Sequence, residues 1–105
     1  MIEIEISRVN YINSFEVKGH ANYLEYGKDI VCASVSSMTI FAFNLCLELN
    51  KNVKYEQENG YLKLRVNEYF ENVDIVLNRL SSMLDELRIQ YPEYISIVDG
   101  GENDD

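Results

Sequence analysis

The stretch that decides the fold is Ile30 to Asn50, IVCASVSSMTIFAFNLCLELN. Val31, Val35, Met38, Ile40, Phe41, Phe43, Leu45, Leu47 and Leu49 leave little of a helix's circumference polar. A helix apolar nearly all round is buried on more than one side. The spacing predicts a long helix packed on a sheet and, on its other side, against a second helix or a partner subunit. Asp29 stands just before it as an N-cap, its carboxylate suited to the positive end of the helix dipole. Residues 21–28 read as a loop, in which Gly27 is free to adopt positive φ.

Outward from this helix the pattern changes to period two. Ile2, Ile4 and Ile6 alternate with Glu3, Glu5 and Ser7, the signature of a half-buried strand. Turn formers between Asn10 and Ser14 reverse the chain. Phe15, Val17 and Gly19, set against Glu16 and Lys18, make a second strand that ends at His20 and pairs with the first as a hairpin. After the helix, Val53 and Tyr55 begin a third strand. Asn59-Gly60 is the strongest hairpin signal in the chain, with the residues of a type I′ turn. Leu62, Leu64 and Val66 form a fourth strand. From Glu71 to about Tyr91, Val73, Val76, Leu77, Leu80, Leu84 and Leu87 follow helical spacing, and Pro92 ends that helix. Tyr94 to Val98 suit a short last strand. The expected fold is α+β: a mixed or antiparallel sheet with two helices, in the order ββαββα(β). Residues 1–99 form one domain and residues 100–105 an acidic tail.

The 105 residues are 47% hydrophobic and carry a formal charge of −9, from 18 acids and 9 bases. That balance argues against nucleic acid as a direct partner, because phosphate binding needs clustered Lys and Arg. It suits solubility, and equally a basic protein partner. On one helix, Cys32 and Cys46 would be about 21 Å apart at 1.5 Å per residue, too far to bridge. Free thiols fit a reducing compartment. The first nine residues alternate Ile and Glu rather than forming a signal peptide, and no apolar run is read as long enough for a membrane span. The expected location is the cytoplasm. One histidine and two distant cysteines make a poor zinc set, and no phosphate or dinucleotide loop is present, so no metal or cofactor is expected.

Two side chains carry chemistry. A thiol at a helix start has its pKa lowered, and an imidazole nearby can serve as its base. Cys32 is read as lying in the first turn, facing unpaired backbone amides that also suit an oxyanion. His20, at the strand tip, can take the thiol proton and later protonate a leaving amine. The alternative is a buried thiol with a surface histidine. Ser36, four residues after Cys32, shares its helix face, and either supports the pair or bonds back to a helix carbonyl. Asp29 either orients His20 or only caps. Tyr23, Leu24 and Tyr26 are large for a loop and either grip an apolar peptide or anchor the loop. Cys46, among Phe43, Leu45 and Leu47, reads as a core thiol.

The run Gly19-His20-Ala21, then Gly27, then Asp29-Ile30-Val31-Cys32-Ala33, then Val35-Ser36, resembles the signature of the ribosomal-processing cysteine protease family, Prp. The resemblance implies a cysteine endopeptidase that removes an N-terminal extension from large-subunit ribosomal protein twenty-seven. It implies a dyad of Cys32 and His20, supported by Asp29 and Ser36. It also implies a homodimer, and a mobile loop between Gly19 and Gly27 that admits substrate. Two other classes remain open: a ribosome-associated binding module that does not cut, and a thiol redox sensor that has no need of His20.

Overall fold

The computed structural model describes residues 1–19 and 26–101, the side chains of residues 26–29 and 101 excepted. The order is β1 (Ile2–Arg8), β2 (Ile12–Lys18), α1 (Tyr26–Leu49), β3 (Lys54–Glu58), β4 (Tyr61–Arg65), α2 (Glu71–Gln90) and β5 (Ile95–Gly101). The strands form one sheet in the order β3-β4-β2-β1-β5. β5 runs parallel to β1, and the other neighbours are antiparallel. This is the expected α+β fold with a mixed sheet and two helices.

Alternation along the strands sorts the two faces. Ile2, Ile4, Ile6, Phe15, Val17, Leu62 and Leu64 are buried under the helices. The opposite face carries Glu3, Glu5, Glu16, Lys18, Lys63 and Arg65 (all polar and outside the core). α1 packs over β3 and β4, α2 over β2 and β5, and the helices pack on each other. Phe43 of α1 meets Phe15 edge-on at 5.6 Å and Tyr55 at 5.5 Å, binding the helix to β2 and β3. Edge-to-face rings at this spacing add about 1 kcal/mol each beyond their buried area. α2 is tied to the sheet by polar contacts too. Its Asp74 carboxylate accepts the Ile12 N–H at 3.0 Å. Arg8 forks onto Asp99 with two bonds of 2.9 Å and donates to Asn78.

Several boundaries differ from the sequence expectation. α1 begins at Tyr26, so Gly27 and Asp29 lie inside the helix rather than in a loop and at the cap. Cap chemistry at a single residue does not fix where a helix starts, because the first turn can be satisfied from more than one position. β2 begins at Ile12 and ends at Lys18, because the turn is tighter than Asn10 to Ser14: Asn10 takes φ 75° and the Val9 N–H donates to the Tyr11 carbonyl at 2.9 Å. In the β3–β4 turn Gly60 has φ 79°, but Asn59 is not in the positive-φ region, so the turn is not type I′. β5 runs on to Gly101, drawing Gly100 and Gly101 out of the expected tail and into pairing with β1. Ile30–Leu49 is in fact long and apolar enough, by length and composition, to cross a membrane. In this fold it is a core helix, with Val31, Val35, Phe43 and Cys46 buried against the sheet and α2.

Candidate active site

The site is framed by the end of β2. Gly19 follows the last residue of that strand and adopts φ +84°, a conformation that side chains rarely take. A Cβ there would stand 2.7 Å from the backbone oxygen of Met1. The Gly19 N–H donates to the Gly60 carbonyl at 3.0 Å. Three chain segments therefore converge on Gly19: the start of β1, the end of β2 and the β3–β4 turn. A residue with a Cβ would hold this position only under backbone strain and against the Met1 oxygen. The sequence singled out Gly19 as a loop residue but missed its anchor, Gly60. The signal was present in the register, because Lys18 pairs with Tyr61 and so brings the turn beside the strand end.

Helix direction places Cys32 at the same end of the sheet. α1 ends at Leu49 and β3 begins at Lys54, whose partner Arg65 pairs in turn with Ser14, remote from Gly19. Phe43 marks where α1 crosses Phe15. Cys32 lies about 16 Å back along the helix from Phe43, and Gly19 about 13 Å along β2 from Phe15. Cys32 thus comes over the Gly19 end. Its side chain is buried, only 4% exposed, and Ser36 is half-buried on the next turn of the same face. The expected position in the first helical turn is corrected: Cys32 is the seventh residue of α1, beyond the unpaired amides of its first four. Those amides lie a turn away from the thiol.

The structure describes the backbone of Tyr26, Gly27 and Asp29 as helix, and Asp29 as an interior helical residue rather than the cap. His20, Tyr23 and Leu24 lie outside the described residues. Cys46 is where the sequence put it, fully buried in the core; burial pushes its thiol up to about 12, so it is inert. Neither Cys32 nor Cys46 forms a disulfide. Among the described residues no group of three or more His, Cys, Asp or Glu is placed to hold a metal ion.

Beside Gly19, the open sheet face carries a polar pair. Partial burial works against ionisation of Glu16, but the Tyr61 hydroxyl, Lys63, Lys18 and Glu5 outweigh it and hold its carboxyl below the ordinary value. The hydrogen bond to Glu16 in turn pushes the Tyr61 phenol up to about 12. This pair clamps β4 to β2 one residue from Gly60.

The sequence profile of the cysteine protease Prp family matches residues 1–96. The chain belongs to that family. It is 31% identical over 99 residues to the ribosomal processing cysteine protease Prp of Mycoplasma genitalium, covering 92% of this chain and 94% of that one. It is 24% identical over 100 residues to the Prp of Staphylococcus aureus, covering 91% and 94%. Among solved structures, SMU.848 of Streptococcus mutans superposes with a TM-score of 0.79 at 26% identity, over 92% of this chain and 91% of that one. The S. aureus Prp, solved in complex with a substrate peptide, superposes at 0.81 with 23% identity, over 97% and 100%. The Prp fold is thus the fold of this chain, and its profile spans both His20 and Cys32.

Proposed function

We propose that this member of the Prp family is a cysteine endopeptidase acting through Cys32 and His20. The observation that carries the reading is the family match over residues 1–96; the placement of Cys32 over the Gly19 end of the sheet agrees with it. His20 follows Gly19 directly, so the backbone that fixes Gly19 also sets where His20 begins. In the reaction, the imidazole takes the thiol proton and the sulfur attacks the scissile carbonyl carbon. The C–N bond breaks as the imidazolium returns the proton to the leaving amine, leaving a thioester. Water, deprotonated by the same imidazole, then releases the acid and the free thiol. Asp29 and Ser36 support the pair, and Tyr23, Leu24, Tyr26 and Gly27 belong to the segment that meets the substrate.

The substrate of this reading is the N-terminally extended precursor of large-subunit ribosomal protein twenty-seven, processed in the cytoplasm without a cofactor and without direct contact to nucleic acid or membrane. A basic precursor complements the charge of −9. The enzyme works as a homodimer joined through the apolar groove of about 360 Å³ between α1 and α2, where Phe41 is 70% exposed beside Met38, Ile75 and Met83. The test is incubation with the extended protein followed by mass measurement. Wild type removes the extension; Cys32→Ala and Cys32→Ser fold and leave it intact. Full cleavage by the alanine variant refutes the mechanism.

A further inference from the structure

Among the described residues, and apart from the two cysteines, Thr39 is the one polar side chain buried in the core, and its hydroxyl oxygen has no hydrogen-bond partner. A buried hydroxyl left unpaired destabilises a fold, and valine, of the same outline, would fill the position without that cost. Threonine in a helix commonly bonds back to the carbonyl four residues before it, here that of Val35, but that bond is not made. The place of Thr39 on α1 gives the hydroxyl another use. Val31, Val35, Phe43 and Cys46 make the buried stripe around it apolar. Toward the start of the helix the same side turns polar, with Ser36 half-buried three residues back and Cys32 four before that. Helical side chains lean toward the N-terminus, so Thr39 leans over the turn that carries Ser36, and Ser36 over the turn that carries Cys32. Residues three or four apart have Cβ atoms about 5–6 Å apart, within reach of two hydroxyls turned toward one another.

We propose that Thr39 is a positioning residue for the Cys32 thiolate, acting through Ser36. This rests on the protease reading. When the His20 imidazole takes the thiol proton, the Ser36 hydroxyl donates to the sulfur, and its oxygen accepts from the Thr39 hydroxyl. Both hydroxyls keep their protons; the one proton that moves passes from sulfur to nitrogen. A hydroxyl that accepts one hydrogen bond donates a stronger one, so the Thr39 donor strengthens the bond that holds the thiolate. Thr39 is unpartnered before ionisation and paired after it, which puts its contribution on the charged state of the site. Among the described residues, the ionisable groups turned toward α1 from the elements packed on it are Tyr55 of β3 and Arg79 of α2, both beside residues 38–45 rather than beside Cys32. β4 turns Leu62 and Leu64 inward and keeps Tyr61, Lys63 and Arg65 on the open face.

The test reads the thiolate directly. Its ultraviolet absorbance is followed against pH below the range where tyrosines ionise, about pH 10, with Cys32→Ala as the baseline; Cys46, raised to about 12, stays silent. Thr39→Val lowers the ionisation constant of the Cys32 thiol roughly two- to five-fold. It lowers kcat on the extended precursor by a similar factor with KM unchanged, and it unfolds at the wild-type urea concentration or above. Thr39→Ser, which keeps the hydroxyl, restores the wild-type ionisation constant. In a Ser36→Ala background, Thr39→Val changes nothing further. An ionisation constant untouched by valine, an equal loss in the serine variant, or effects of Thr39→Val and Ser36→Ala that simply add overturn the relay. A urea midpoint lowered by valine also overturns it, because the hydroxyl then has a partner in the core. If valine shifts the thiol while wild type never cuts the precursor, the protease reading falls and the relay stands.

Discussion

Replacing Gly19 by alanine tests how the fold positions the site. The left-handed backbone at φ +84° costs alanine about 1–2 kcal/mol. The new Cβ would stand 2.7 Å from the Met1 carbonyl oxygen, well inside ordinary contact at 3.4 Å or more, and the obstacle is backbone, not a flexible side chain. Opening that gap by several tenths of an ångström disturbs the start of β1, where Ile2 donates to Tyr94 at 2.8 Å, and adds about 1–2 kcal/mol. Alanine recovers about 0.4–1 kcal/mol by stiffening the unfolded chain. The net loss is about 2 kcal/mol, which lowers the urea midpoint by roughly 1–2 M for a domain of this size. Gly100→Ala is the matched control: its Cβ meets only the Ile6 carbonyl at 3.8 Å, an ordinary contact, with no positive φ. It should stay within about 0.5 kcal/mol of wild type. Under conditions where Gly19→Ala is still folded, its cleavage rate should fall further than the control's, because the backbone leading into His20 is displaced. A Gly19→Ala variant that unfolds with wild type and cuts at the wild-type rate refutes the argument that this glycine sets the exit of β2.

Other expectations follow from the same contacts. Phe43→Ala removes a fully buried ring that meets both Phe15 and Tyr55 and should cost about 3–5 kcal/mol by urea denaturation. Phe41→Glu, at a 70% exposed position, should change monomer stability by less than about 0.5 kcal/mol yet yield monomers in sedimentation velocity; an unchanged dimer excludes the α1–α2 groove as the interface. Native Cys46, its thiol raised to about 12 by burial, should resist thiol reagents at pH 8 until the protein unfolds, as mass mapping of labelled peptides would show. Tyr61→Phe removes a hydrogen bond that helps lower the Glu16 pKa, so the titration of Glu16 by NMR should move upward. A depressed carboxylate stabilises the fold above its unfolded pKa and loses that contribution as pH falls through the folded value. The stability gap between wild type and Tyr61→Phe should therefore narrow in acid. The raised Tyr61 phenol acts in the opposite sense, its contribution complete below about pH 10 and lost as pH climbs toward 12.

Alternation and helical spacing are local properties, so they were readable from the chain alone. The Ile2, Ile4, Ile6 alternation places those residues inward whatever the strand's neighbours are, and the Val73 to Leu84 spacing commits α2 to one buried stripe. The all-round apolar character of α1 likewise foretold contacts on two sides, and Cys46 was assigned to the core for the same reason. The run from Gly19 to Ser36 carries the family resemblance by itself, since it depends on residue types at set intervals. The limits of elements were less legible. Asp29 is a good cap by chemistry, yet α1 runs back to Tyr26, and the helix start governs which amides remain free. Asn59-Gly60 announced a turn, but its type depends on the twist of the strands it joins. What only the tertiary structure decided is long-range: β5 lies parallel beside β1, α1 lies over β3 and β4, and Met1, Gly19 and Gly60 meet at one point although they are remote in the chain. Sequence spacing constrains neighbours a few residues apart; which remote backbone blocks a Cβ at Gly19, and which strands stand at the edges of the sheet, follow from how the whole sheet closes around its core.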